Sequence, residues 1–281
     1  MIFDLKKAKL IGQGNTAEIF EWDKDSVLKL YRHGMPDNFC LHEFKITKYA
    51  HEYLKIAPRS IKIVSIDGRV GAIYQRLVGK TMLKLLRPWN IKRYSKMLAN
   101  CHVLMQKSTE FKTTTVKEKL KQDIESVSLL TAQEKELIYK YLAALPGGDS
   151  ICHLDFHPDN IMISADKYYV FDWMTGCIGD PHSDAARTAL ILNYAKIPRV
   201  PFFVNAIAGV FQRSICKKYL NEYFRLTNAS PLDIQKWELP IAAARLCEWI
   251  PEGEFQRLIK LVKSKLKLLS SEKAAKAKNN F

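Results

Sequence analysis

Apolar positions in the first third of the chain fall in short runs rather than helical stripes. Ala8 to Ile11, Glu18 to Trp22, Ser26 to Tyr31, Ile61 to Ile66 and Val70 to Gln75 are each four to six residues long, several rich in Val, Ile and aromatic side chains. Such runs predict β-strands. Asp67-Gly68 between the last two is a hairpin signal, because a two-residue turn needs backbone conformations that Asp and Gly tolerate. One helical segment, Asn38 to Leu54, interrupts the strands. Beyond residue 80 the apolar spacing becomes helical, over Ile91 to Gln106, Val116 to Ile124, Ala132 to Leu145, Ala185 to Tyr194, Pro201 to Leu226 and Pro231 to Trp249. A β-rich start followed by a helical remainder predicts an α+β protein with two lobes, divided as residues 1–77 and 78–281. No internal repeat is visible.

Composition narrows the class without changing that picture. The 281 residues are 47% hydrophobic, with only 12 Gly and 11 Pro, which excludes disordered and collagen-like chains. Charge is the unusual feature: 44 Lys and Arg against 29 Asp and Glu leave a formal +15. Alone, that excess points to nucleic acid, an anionic membrane surface or a phosphate-bearing ligand. Its distribution alters the inference. Residues 127–254 hold 12 basic and 15 acidic side chains, whereas residues 255–281 hold 8 and 1, so a basic tail at 260–281, expected to be a fraying Lys/Ala helix, carries much of the excess. No nucleic-acid-binding motif accompanies the charge, and no nucleic-acid partner is expected.

The first residues lack an apolar signal region, and no apolar run approaches the ~20 residues needed to span a bilayer. A cytoplasmic protein without a membrane segment is expected. The six cysteines are spread singly and are expected to be reduced and mostly buried.

Three segments carry chemistry. Ile11-Gly12-Gln13-Gly14-Asn15-Thr16-Ala17 sets two glycines between strand-like runs, where backbone N–H groups can approach an anion. Lys29 lies inside the apolar run Ser26 to Tyr31, and a charge there needs an anionic partner if it is buried; Glu43, in the following helix, is a candidate. The third segment runs from Cys152 to Ile163 and contains His153-Leu154-Asp155-Phe156-His157-Pro158-Asp159-Asn160, followed by Asp172 at the end of the apolar run Tyr168 to Phe171. One carboxylate there can orient a hydroxyl and take its proton, while an amide and a second carboxylate suit Mg²⁺.

Taken together, these segments resemble the aminoglycoside phosphotransferase family, which includes choline-kinase-like enzymes and has a protein-kinase-like fold. The resemblance spans about residues 10–190. It implies a small-molecule kinase that uses ATP or GTP with Mg²⁺ and a small-molecule hydroxyl acceptor. Asp155 would be the base, and Asn160 and Asp172 the metal ligands. Lys29, oriented by Glu43, would hold the phosphates, with Gly12, Gly14, Asn15 and Thr16 in the glycine loop and Gln75 and Leu77 flanking the base. Gly179-Asp180-Pro181-His182-Ser183-Asp184 matches a family signature in which Asp184 braces the catalytic loop, and His157 and Asp180 are further loop or substrate candidates. The chain departs from protein kinases at His153-Leu154-Asp155, at Asp172-Trp173-Met174 and at Ala17, which stands in the third glycine position.

Other readings stay open at this level. His153, Asp155, His157 and Asp159 could ligate a metallohydrolase metal, and the same fold could serve a nucleotide-binding pseudokinase. Trp173, Trp237 and Trp249 could cage a cation or be core residues. Glu248, Glu252 and Glu254 could recognise an amine or line a solvated turn.

Overall fold

The computed structural model describes residues 4–164, 167–197 and 200–278. Its elements are β1 (Leu10–Gln13), β2 (Ala17–Glu21), β3 (Ser26–Tyr31), α1 (Asp37–Tyr49), β4 (Ser60–Ile66), β5 (Arg69–Gln75), β6 (Lys80–Thr81), α2 (Met82–Leu85), α3 (Ile91–Met105), α4 (Val116–Glu125) and α5 (Ala132–Ala144). There follow β7 (Ser150–Cys152), β8 (Ile161–Ser164), β9 (Lys167–Val170), β10 (Cys177–Gly179), α6 (Pro181–Tyr194), α7 (Phe202–Thr227), α8 (Pro231–Arg245) and α9 (Glu252–Lys278). The α+β class holds. The final three residues of the expected basic tail lie outside the described residues, and α9 is helical to Lys278.

The chain forms two compact units: residues up to Leu86 together with Pro158–Gly176, and Arg87–His157 together with residues from Cys177 onward. The boundary expected at residue 77 differs from this division. β6 and α2 stay with the first unit, and so does the segment carrying β8 and β9. The reason is strand pairing: β6 pairs with β8 and β8 with β9 in a three-stranded sheet. Gly79, just before β6, permits that pairing, because a Cβ there would lie 2.2 Å from the Ile163 carbonyl oxygen.

The first unit's main sheet is antiparallel in the order β1-β2-β3-β5-β4. β4 and β5 are joined by Asp67-Gly68, both at positive φ, the two-residue hairpin geometry that the sequence predicts. Alternation divides the sheet into two faces. Phe20, Leu28, Leu30 and Ile73 pack together in one cluster, and Ala17, Tyr31, Ala72 and Tyr74 pack with Cys40 of α1 in the other. α1 therefore covers the second face. The helix expected to run to Leu54 changes at Ala50 into a single π-helical turn and ends where Lys55 takes a left-handed conformation.

The second unit is helical around the short β7-β10 pair. Its helices start on local signals: Thr115 with Glu118, Thr131 with Glu134 and Ser230 with Asp233 form capping boxes before α4, α5 and α8. α6 starts four residues earlier than its apolar pattern indicates, because Asp180 caps it and Pro181 occupies its first turn. Pro240 lies inside α8. Five cysteines are buried, Cys247 is exposed, and all six are free thiols.

Candidate active site

In the first unit, β3 alternation turns Lys29 and Tyr31 to the face that α1 covers, and α1 presents Cys40, Glu43, Ile46 and Thr47 as its buried stripe. Lys29 is only 8% exposed. Its Nζ donates to both Glu43 oxygens at 2.7 and 2.8 Å and to Asp172 Oδ1 at 2.8 Å. Tyr31 donates its hydroxyl hydrogen to Glu43 Oε2. Burial favours the neutral amine, but the charges of Asp172 and Glu43 outweigh it, so Lys29 is held protonated above its ordinary range. Burial also pushes Glu43 upward, against the pull of Lys29.

A cavity of about 480 Å³ opens beside this cluster, lined by residues of the first unit only. Gly14, Thr16, Lys29, Glu43, Gln75, Leu77 and Asp172 are on its wall, as is Ala17. Gly12, Asn15 and Asn160 are not among the lining residues. Neither Gly12 nor Gly14 has positive φ, and a Cβ at either would meet only ordinary contacts, so the fold itself does not demand glycine at either position. Arg32, which motif reading missed, fixes the loop by donating from Nε and Nη2 to the Gly14 carbonyl at 3.2 and 3.1 Å. The N–H groups of Gln75 and Arg76 are spent on the Arg59 and Asp25 carbonyls, at 2.8 Å each. Leu77 N–H has no partner among the described residues.

Asn160 and Asp172 flank one end of the β8-β9 hairpin. Ile161 pairs with Val170, and Phe171 N–H donates to the Asn160 carbonyl at 3.1 Å. Asn160 is buried, whereas the Asp172 side chain is 42% exposed. Asp172 has φ of 65°, an uncommon left-handed conformation for a residue other than glycine. Between them the two residues offer one carboxylate and one amide oxygen, hard-oxygen donors of the kind Mg²⁺ accepts while leaving positions for water and phosphate. The Lys29, Glu43 and Asp172 cluster carries one positive and two negative formal charges, so a cation fits its surplus as well as its donors. Among the described residues, no three His, Cys, Asp or Glu side chains are grouped to hold a metal ion.

In the second unit, α6 grips the loop that carries Asp155. Asp184, fully buried, accepts the N–H groups of His153 at 2.6 Å and Leu154 at 2.9 Å. Thr188, one helical turn on, donates to the Phe156 carbonyl at 2.8 Å. Leu154 is held at φ 52° between these anchors. His102 from α3 backs Asp184, with Nε2 3.2 Å from its Oδ2 and Nδ1 2.7 Å from the Tyr219 hydroxyl. Burial opposes the ionised form of Asp184, but His102, His153 and the backbone donors hold its carboxyl below the ordinary range. Burial likewise opposes charge on Asp155, and His157 outweighs it, its Nε2 3.5 Å from Asp155 Oδ2, with Arg187 and His153 adding to the effect; Asp155 stays ionised well below the usual range. His153 is buried and accepts Asp155 N–H on Nδ1 at 3.2 Å.

Asp180 serves the helix start. Its carboxylate accepts His182 N–H at 2.9 Å and the Trp237 indole N–H at 3.2 Å. Trp173 and Trp237 are fully buried while Trp249 is 93% exposed, so no aromatic cage forms from the three. Glu248 and Glu254 are not a solvated acidic patch either. Glu248 pairs with Arg187 at 2.5 Å and Arg245 at 2.8 Å, and Glu254 pairs with Arg245 at 2.7 Å. Arg187 and Thr188 are the contributors that motif reading passed over; their only sequence signal is a spacing of three and four from Asp184, which shares their helix face.

Solved structures with the same architecture carry related chemistry in their names. The chain matches a thermostable mutant of aminoglycoside phosphotransferase APH(4)-Ia in complex with AMP-PNP and hygromycin B at 16% identity and TM-score 0.61, covering 94% of this chain and 92% of that one. It matches choline kinase LicA from Streptococcus pneumoniae at 14% identity and TM-score 0.62, covering 94% and 95%. An amicoumacin kinase in complex with AMP-PNP, Ca²⁺ and its Ami ligand matches at 12% identity and TM-score 0.64, covering 94% and 90%. At these identities the likenesses show a shared fold. The family rests on sequence: the model of the phosphotransferase enzyme family matches residues 7–213, and the chain belongs to that family. No curated protein matches the chain in sequence.

Proposed function

We propose that this protein transfers the γ-phosphoryl group of ATP or GTP to a hydroxyl of a small molecule in the presence of Mg²⁺. The observation that carries the proposal is the buried Lys29, bonded at 2.7 to 2.8 Å to Glu43 and Asp172 on the wall of a 480 Å³ cavity. Lys29 would hold the nucleotide phosphates, with Glu43 fixing its direction, and Gly14 and Thr16 would face the phosphates from the loop. Gln75 and Leu77 would receive the base, for which the Leu77 N–H is available. Asn160 and Asp172 would hold Mg²⁺, whose bound charge neutralises the oxygens of the transferring group.

Asp155 would orient the acceptor hydroxyl and take its proton as the new O–P bond forms and the bond from the γ-phosphorus to the leaving diphosphate breaks. The environment of Asp155 holds its carboxyl ionised, so it can accept the hydrogen bond of the acceptor hydroxyl and orient it; as a weak base it takes the proton only as the O–P bond forms. The acceptors named for the structural neighbours, an aminoglycoside, choline and amicoumacin, support a small hydroxyl compound as acceptor class.

The test is a coupled nucleotide-consumption screen over small alcohols and amino alcohols with Mg²⁺, run on the wild-type protein and Asp155→Ala. Acceptor-dependent turnover that falls about 10³-fold in Asp155→Ala with nucleotide affinity nearly intact is the expected result. Equal loss of nucleotide binding and transfer in Asp155→Ala would overturn the assignment of the base.

A further inference from the structure

The glycine loop is gripped by a residue that is not itself on the cavity wall. Gly14, Thr16 and Ala17 line the cavity, and Arg32, which follows β3, does not. Arg32 takes two of the loop's carbonyls. Its Nε and Nη2 donate to the Gly14 carbonyl at 3.2 and 3.1 Å, and its backbone N–H donates to the Thr16 carbonyl at 2.9 Å. Gly14 N–H is spent on the Ala17 carbonyl at 2.9 Å, whereas the N–H groups of Asn15 and Thr16 have no partner among the described residues. A second arginine braces the first. Arg32 Nη1 lies 3.4 Å from Glu18 Oε1, and Arg69 Nη2 donates to Glu18 Oε2 at 2.6 Å. Arg69 is anchored on β3, donating from Nε to the Tyr31 carbonyl at 2.7 Å and from Nη2 to the Leu30 carbonyl at 3.3 Å.

In a planar trans peptide the C=O and the N–H that follows it point in opposite directions. Capture of the Gly14 carbonyl by Arg32 therefore turns the Asn15 N–H away from the guanidinium. This peptide is easy to rotate by half a turn. Gly14 has no Cβ to resist the change, and Asn15, which is not at positive φ here, would pass to a positive φ that Asn adopts more readily than most residues. The rotated peptide would present a carbonyl oxygen where the N–H had been, the wrong sign for a phosphate. We propose that Arg32 is a positioning residue that locks the Gly14-Asn15 peptide with its N–H turned to the nucleotide phosphates, held in place by Glu18 and Arg69; this rests on reading the cavity as the nucleotide site. Arg32 acts through the loop and not by touching the nucleotide.

The test compares wild type, Arg32→Met, Arg32→Lys and Glu18→Gln. Calorimetric titration with ATP and Mg²⁺, with GTP and Mg²⁺, and with adenosine and guanosine separates phosphate binding from base binding. Amide hydrogen exchange of the unliganded proteins, followed by NMR, reads the loop. In Arg32→Met the triphosphate should bind about tenfold more weakly, the loss of about one hydrogen bond with a charged partner, while the nucleoside stays within about twofold of wild type. Gly14 N–H of unliganded Arg32→Met should exchange about tenfold faster, because a peptide free to rotate loosens the neighbouring bond to Ala17. Arg32→Lys keeps the charge but not the two-donor fork, so it should restore only part of both effects. Glu18→Gln should show both in smaller degree, and it carries the test if Arg32→Met does not fold. Unchanged triphosphate affinity, equal loss of nucleoside and triphosphate affinity, wild-type exchange at Gly14 or full restoration by Arg32→Lys overturns the proposal. A wild-type protein that binds neither triphosphate nor nucleoside instead rejects the nucleotide reading, and the Gly14 exchange rate still decides whether Arg32 locks the peptide.

Discussion

Two buried ion clusters, one in each unit, are built on opposite principles. In the first unit one lysine serves two carboxylates, and one of these, Asp172, is 42% exposed on its side chain. In the second, two arginines and two glutamates alternate, Arg187 to Glu248 to Arg245 to Glu254, so the formal charges cancel. The first cluster is electrostatically open and faces a cavity. The second is closed and ties the C-terminal helices to α6. The contrast teaches that burial of charge by itself does not mark a ligand site: the cluster on the cavity wall carries a surplus of one sign, while the balanced chain ties helices together.

The largest test of that contrast removes Arg245. Arg245→Met leaves Glu254, which is 2% exposed on its side chain, without its arginine, and stability should fall by about 3 to 4 kcal/mol, the cost of uncovering a buried charge. A chemical-denaturation loss below about 1 kcal/mol would mean that the closed chain is a surface arrangement.

Lys29→Met should cost less, about 2 to 3 kcal/mol, because Tyr31 still donates to Glu43 and Asp172 can turn to water. Its pH dependence carries the sign. Burial already raises Glu43 above its ordinary value of 4.5, and losing Lys29 raises it further. A carboxyl raised on folding contributes its full stability below the unfolded value and loses it as pH climbs through the folded one. Thermal melts of Lys29→Met should therefore lie closest to wild type near pH 5 and furthest below it near pH 8. A gap that stays constant with pH would argue that Glu43 is not the group left exposed to the loss.

Asp172→Asn sharpens the open side of the comparison. It removes one of the two like charges facing each other across Lys29, so stability without ligands should stay within about 0.5 kcal/mol of wild type. Nucleotide affinity measured calorimetrically with Mg²⁺ should nonetheless fall about tenfold or more, and unchanged affinity would remove Asp172 from the metal site. The smallest effect is expected at Trp249, which is 93% exposed. Trp249→Ala should change stability by less than about 0.5 kcal/mol, whereas the fully buried Trp237→Ala should cost about 3 to 5 kcal/mol. A Trp249→Ala protein that unfolds in the same range as Trp237→Ala would show that the exposed indole is covered in solution.

Much of the candidate site is legible along the chain because its parts are local. The spacing from His153 to Asn160 is a short peptide, and Lys29 betrays itself as the one charge in an apolar strand. The roles of Tyr31, Arg32, Arg187 and Thr188 were not legible, because each depends on a neighbour brought in by packing. Arg187 and Glu248 are 61 residues apart, and Lys29 and Asp172 are 143 apart. The acidic cluster around Glu248 could be read as an amine site only while its arginines were unknown.

By itself the sequence determined where most helices and strands lie, since alternation, helical spacing and capping residues act over a few positions. It also determined the order of the chemical groups and the family to which they belong. Only the tertiary structure decided that the chain divides between His157 and Pro158, so that Asp155 falls in one unit and Asn160 and Asp172 in the other. It alone decided which tryptophans are core and which carboxylates are neutralised. The physical reason is the same in each case: strand pairing and the burial of charge depend on partners that are distant in the chain, and no local pattern records them.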